Sequence, residues 1–130
     1  MEVAAGSTRS PADIQAAALK AYSRIADQWR LTQEDAAGLA DLSVSTWKRA
    51  RKPGFSGALT RDQMLRLSAL VGLYKGLELY FGADLARSWV QRPNGGPEFH
   101  GMRPVDAMIQ GGLPKILRVR AYVDALRGGL

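Results

Sequence analysis

The chain has 130 residues, 46% of them hydrophobic and 23% charged, a globular composition rather than that of a disordered chain, which fits one domain or two small ones sharing a core. It has no cysteine, which excludes a disulfide scaffold and a thiolate metal site, and its longest apolar stretch, "LSALVGLYKGLELYF", carries Lys75 and Glu78, so no membrane span is expected. A net charge of +6 favours an anionic partner, and without a basic region leading into an apolar one at the N-terminus the expected location is the cytoplasm.

β-alternation is almost absent and the patterning is helical, so the expected fold class is all-α. Residues 1–11 read as a mobile tail. A helix capped by Asp13 is predicted to run to about Trp29, with Ile14, Ala17, Ala18, Ala21, Tyr22 and Ile25 at helical spacing. Thr32 opens "TQED", a capping-box-like start with acids in the first turn, and that short helix ends near Ala40. Ser43 caps the next helix, which runs through Lys52 and stops at Pro53 and Gly54. The "GFSGA" stretch reads as a linker. Thr60 begins the longest helix, to about Phe81, with Gly82 as a left-handed stop. A further helix covers 83–91, and "RPNGGPEFHGMR" is a loop. Pro104 suits the first turn of a helix ending at Gly111 and Gly112, and Pro114 opens a last helix to about Arg127. The expected organisation is a tail (1–11), a helix-turn-helix domain (12–58) and a second helical domain (59–130).

Charge is concentrated in one place. From Ser43 to Lys52 the cations Lys48, Arg49, Arg51 and Lys52 stand without an acid, while the other 14 cations face all 12 acids. The stretch "LTQEDAAGLADLSVSTWKRARK" reads as two short helices joined by a tight turn. Ala37 falls where the second helix must approach closely, and Leu42 fills the space under the turn. Asp41 occupies a position where φ is often positive, which Asp tolerates better than most residues. Trp47 sits where such units bury an aliphatic side chain. Small residues (Ser43, Ser45, Thr46) open the second helix and let it sink into a major groove. The plainer reading is a helical hairpin with a solvated basic face. The stretch resembles the Xre/Cro-type helix-turn-helix family, matched here by Leu31, Thr32, Gln33, Glu34, Ala37, Ser43, Ser45 and Thr46. Helix geometry then aims Val44, Ser45 and Arg49 at base edges, Arg49 toward guanine and Val44 toward a thymine methyl. Gln33, Lys48, Arg51 and Lys52 are expected to hold phosphates. One such unit reads few base pairs, so a homodimer on a palindromic operator is expected.

The helix from Thr60 to Phe81 is apolar on more than one face. Met64, Leu67, Leu70, Val71, Tyr74, Leu77 and Phe81 form one stripe, with Leu65, Leu73, Leu79 and Tyr80 outside it. Burial on several sides is expected. Gly72 and Gly76, four residues apart, each weaken a helix by roughly 1 kcal/mol against Ala. They read either as tolerated or as marking close approach, in a homodimer or against the helix-turn-helix. Downstream, Trp89, Pro93, Asn94, Phe99, Gly101, Pro104, Asp106 and Gly111 follow in an order that resembles the toxin-binding domain of Xre/MbcA/ParS-type antitoxins. The ending "AYVDALRGG" is similar to the terminus common in that family. The resemblance spans about residues 30–130 and rests on order and combination. His100 replaces a frequent Gly, and "GGP" lengthens the loop.

The resemblance implies an antitoxin of a type II toxin–antitoxin system. Its implied partners are a RES-type toxin, which consumes NAD and whose active site the C-terminal domain covers, and operator DNA, through which the N-terminal domain represses the shared operon. It implies toxin contacts around Asn94, Phe99, Gly101 and Arg103, and at the end of the chain through Arg127, Gly128, Gly129 and Leu130. Plainer roles exist for several of these: Arg103 as a surface charge, Arg127 as a favourable cation at a helix end, Asp106 as a first-turn acid, Trp89 as core. The residues offer no nucleophile–base pair, and "NGGPEFHG" lacks the Lys-Ser/Thr of a phosphate loop. Neither an enzyme nor a cofactor or metal is therefore expected. The alternative is a stand-alone dimeric helix-turn-helix regulator whose second domain only dimerises.

Overall fold

Local capping decides where most of the helices begin. In a computed structural model that describes residues 9–128, α1 spans Pro11–Gln28, α2 Gln33–Ala40, α3 Val44–Ala50, α4 Arg61–Phe81, α5 Ala83–Ser88 and α6 Pro104–Arg127, with a 3-10 turn at Trp89–Gln91. No strand occurs among the described residues, so the all-α expectation holds. Thr32 Oγ1 accepts from the Asp35 N–H at 3.0 Å and Ser43 Oγ from the Thr46 N–H at 3.1 Å. Thr60 and Gln63 form a full capping box, Thr60 Oγ1 accepting at 3.1 Å and Gln63 Oε1 at 2.8 Å. Each such cap contributes about 1 kcal/mol.

Two boundaries differ from expectation. Ser10, not Asp13, caps α1: its Oγ accepts from the Asp13 N–H, and Pro11 takes the first helical position, where its missing N–H is not needed. The expected tail therefore already ends at Ser10; its residues 1–8 lie outside the described part of the chain. Gly82 has φ 83° and ψ 170°, a positive-φ conformation open to glycine but outside the left-handed helical region, and in that one residue it both closes α4 and opens α5. The break expected between the two C-terminal helices is present: Gly112 (φ 65°, ψ −158°) interrupts α6 with a non-helical conformation that glycine adopts without a Cβ clash, and Pro114 lies just inside the second segment.

α4 is the spine. It packs against α6, α1, α5 and α2, and one hydrophobic cluster runs through both halves of the chain. Leu67, Leu70, Leu73 and Leu77 are buried, so Leu73 joins the core although it lay outside the stripe, whereas Leu65, Leu79 and Tyr80 stay exposed. Trp29 fastens the halves together. It is fully buried, its ring meets Tyr74 edge-on, and its indole N–H donates to Ala86 O at 3.2 Å. Tyr22 does the same between α1 and α2, donating its hydroxyl to Ala36 O at 2.7 Å, and burial pushes its pKa upward. Gly72 and Gly76 both face the chain's own last helix, but only Gly76 marks a close contact with it; Gly72 is covered by the end of a flexible side chain. A Cβ on Gly72 would run into the Arg120 guanidinium, and one on Gly76 would meet Asp124 Oδ1 and Val123 Cγ1 at 3.4 Å.

Candidate functional site

The helix-turn-helix is built from α2, the turn at Asp41 and α3. Asp41 adopts φ 58° and ψ 45°, the left-handed geometry expected of the turn, and Leu42 N–H returns to Ala37 O at 2.9 Å. Ala37 and Ala40 are buried, which lets α3 lie close. Trp47 is wholly inside, its ring centroid 5.1 Å from that of Tyr22. The indole N–H donates to Gln33 Oε1 at 2.9 Å. With Trp47 and Ala50 turned inward, helical periodicity turns Ser45, Lys48, Arg49 and Lys52 outward, and all four are exposed; Val44 is half-buried at their flank.

Arg51 departs from its expected phosphate role. Its guanidinium folds back onto α1, reaching Asp27 Oδ1 at 2.8 Å and Ser23 Oγ at 3.1 Å, and lies 5.1 Å from the Trp47 ring centroid. That fork secures α3 to α1. The stretch read as a linker is also tied down. The Gln15 amide donates to Gly57 O and accepts from Leu59 N–H, both at 2.8 Å, and Gln63 Nε2 donates to Asp41 O at 2.8 Å. Between this segment and α3 lies a cleft of about 820 Å³ lined by Ser43, Thr46, Arg49, Lys52 and Ser56 among others.

The loop from 92 to 103 is closed on itself. Asn94 N–H donates to Met102 O at 3.1 Å, Asn94 O accepts from Gly101 N–H at 2.9 Å, and Asn94 Oδ1 accepts from Gly96 N–H at 2.8 Å. Phe99 is fully buried, edge-on to Trp89 and Tyr122 at 5.5 and 5.6 Å between centroids. It is the plug of the loop rather than a side chain presented to a partner. His100 and Gly101 turn the chain with φ 50° and 84°; both are exposed. Glu98 receives Lys115 Nζ at 3.0 Å and Arg118 Nε at 3.3 Å, and the Lys115 hydrogen bond holds its carboxyl below the usual range. Arg103 also turns inward. Its fork binds both oxygens of Asp106 at 2.8 Å, reaches Gln91 Oε1, and stands 3.7 Å from Asp35 in α2. That bond raises the Arg103 pKa and lowers that of Asp106. Arg127 is exposed and bonded to Asp124 at 3.2 Å. Gly128 follows it as the helix cap, whereas Gly129 and Leu130 lie outside the described residues.

Residues 9–72 match the antitoxin Xre-like helix-turn-helix domain, and residues 76–129 match the antitoxin Xre/MbcA/ParS C-terminal toxin-binding domain. The chain belongs to this antitoxin family. It is also similar to the uncharacterized protein y4oB of Sinorhizobium fredii (strain NBRC 101917 / NGR234), with 39% identity over 125 residues, 95% of this chain and 90% of that protein. No solved structure matches the chain significantly.

In this chain the two family matches meet inside α4, the first ending at Gly72 and the second starting at Gly76. One unbroken helix thus belongs to both halves. Sequence reasoning missed four residues that hold the site: Gln15, Asp35, Gln91 and Glu98. Their partners lie between 12 and 68 residues away in the chain, beyond any local pattern. Among the described residues no group of His, Asp or Glu could hold a metal ion, and no helix is long and apolar enough to cross a membrane.

Proposed function

We propose that this family member is the antitoxin of a type II pair: its C-terminal half docks on a RES-type, NAD-consuming toxin and blocks the active site, and its N-terminal half represses the shared operon as a homodimer on a palindromic operator. It acts by binding rather than by catalysis. The observation that carries this reading is the tandem of the two domains on one spine helix, with a prefolded loop at 92–103 in one half and an outward cationic helix face in the other.

On the DNA side, Ser45 and Arg49 address base edges with Val44 beside them, and Lys48 and Lys52 address phosphates. On the toxin side the loop's internal bonds point to exposed groups as the docking surface, Asn94 and Gly101 shaping it and His100 and Arg92 presented on it. Phe99 and Arg103 keep that shape. A rigid loop loses little conformational entropy on docking. Arg127 and the last residues supply the segment that reaches the toxin site.

The experiment is co-expression with the toxin encoded beside this chain. Co-purification, restored host growth and restored NAD support the reading. Binding to its upstream DNA without a co-purifying neighbour would instead support a stand-alone dimeric regulator.

A further inference from the structure

The bond between Trp47 and Gln33 joins a core side chain to a residue at the first position of α2. An indole N–H can only donate, so the amide end facing it must be the oxygen. This fixes the amide: Oε1 is held at 2.9 Å, and Nε2 is left as the free end, with no hydrogen-bond partner among the described residues. Trp47 itself cannot move. It is completely buried, packed against Tyr22 on one side and beneath the Arg51 guanidinium on another. That guanidinium is in turn anchored on Asp27 and Ser23 of α1. A freely rotating glutamine would present oxygen and nitrogen alike to its surroundings. This one keeps its oxygen on the indole and leaves its two N–H donors as the free end.

We propose that Trp47 is a positioning residue for DNA binding: its indole N–H locks the Gln33 amide so that Nε2 donates to a phosphate oxygen beside the recognition helix. The inference rests on the DNA-binding reading above. It gives Trp47 a second task besides filling the core, and it changes how Gln33 works, from an adaptable polar contact to a preset donor. A preset donor has its rotamer already restricted before DNA arrives, so less entropy is lost on binding. The contact is neutral, so it adds affinity without adding to counterion release.

A double-mutant cycle tests it, with binding to a duplex fragment covering the region upstream of the chain's own gene read by fluorescence anisotropy. Trp47→Phe keeps an aromatic ring and removes the N–H. It should weaken binding by about 3- to 10-fold, the range of one neutral hydrogen bond. In a Gln33→Ala background the same change should have less than about a 2-fold effect, because the amide it positions is gone. The salt dependence should not change in any variant of the cycle. Equal losses in both backgrounds would mean that Trp47 acts through the core alone. Gln33→Glu leaves the core untouched, since a carboxylate also accepts from the indole and an acid at the start of a helix is favourable. It replaces the outward donor by an acceptor, so it should bind DNA more weakly than Gln33→Ala. Binding by Gln33→Glu as tight as that of the parent would overturn the proposal even if Trp47→Phe failed to fold. A parent chain that does not bind the fragment overturns the DNA reading and this role together; a parent that binds while the two substitutions act independently overturns only the role.

Discussion

Arg103 grips both oxygens of Asp106 at 2.8 Å, and the same guanidinium stands 3.7 Å from Asp35 in the helix-turn-helix half of the chain. One side chain thus closes the family loop, opens α6 and touches α2. Arg103→Ala should lower unfolding stability by about 1 kcal/mol, a charge-assisted fork discounted for its exposure to water. Arg103→Lys should recover only part of this, because an ammonium cannot form the fork. Urea denaturation measures both.

Acid should loosen the same loop. The carboxyls of Glu98 and Asp106 are both lowered, the first chiefly by the hydrogen bond from Lys115 and the second by that from Arg103. A carboxyl with a lowered folded-state pKa is charged in the folded chain at a pH where the unfolded chain has begun to bind a proton. Its contribution is therefore complete above the ordinary carboxylate range and is lost as pH falls through the lowered values. Amide exchange at Gly96 and Gly101, followed from pH 7 downward, should show loop protection falling below about pH 4. Lys115→Met should shift that loss to higher pH.

Gly72 and Gly76 should respond differently to substitution. At Gly72 a methyl group displaces only the end of the flexible Arg120 side chain, so Gly72→Ala should be neutral or stabilising by up to about 1 kcal/mol through helix propensity. At Gly76 a methyl group is in ordinary contact with Val123 and Asp124, and there is no room for more. Gly76→Leu should destabilise by about 1 to 3 kcal/mol. Thermal melting separates the two.

The cations of α3 should divide into two kinds. Arg49→Ala should relax base preference at one position per half-site, with a loss of about 1 to 3 kcal/mol. Lys52→Ala should weaken binding to all sequences alike and flatten the salt dependence by about one unit of slope. Arg51→Ala should instead lower the melting temperature, because it removes the Asp27 and Ser23 contacts and uncovers Trp47, and should leave the salt slope unchanged.

Removing residues 127–130 should leave DNA binding by the free protein intact and impair toxin neutralisation. The readout is NAD consumption by the partner toxin with each antitoxin form titrated in. Equal inhibition by the full and shortened chains would overturn the role of the chain end and leave the inhibition to docking elsewhere in the C-terminal domain.

Much of the architecture is written locally. Thr32, Ser43 and Thr60 each bond a backbone N–H only three residues ahead, so their sequence neighbours suffice to identify them as helix starts. The same holds for Ser10 with Pro11, a start signal as local as the others that the reading from Asp13 passed over. Asp41 in its left-handed turn and Trp47 in the core follow from the spacing of apolar and small residues around them. Cation counts could not separate the exposed Lys48, Arg49 and Lys52 from Arg51 and Arg103, which turn inward, because a guanidinium goes to whichever carboxylate the fold brings near. Asp27 lies 24 residues from Arg51, and Asp35 lies 68 from Arg103. Likewise the glycines of α4 announced a close neighbour but not which one. Helix periodicity sets which face a residue occupies; only the packing of α6 along α4 put Arg120 and Asp124 over that face.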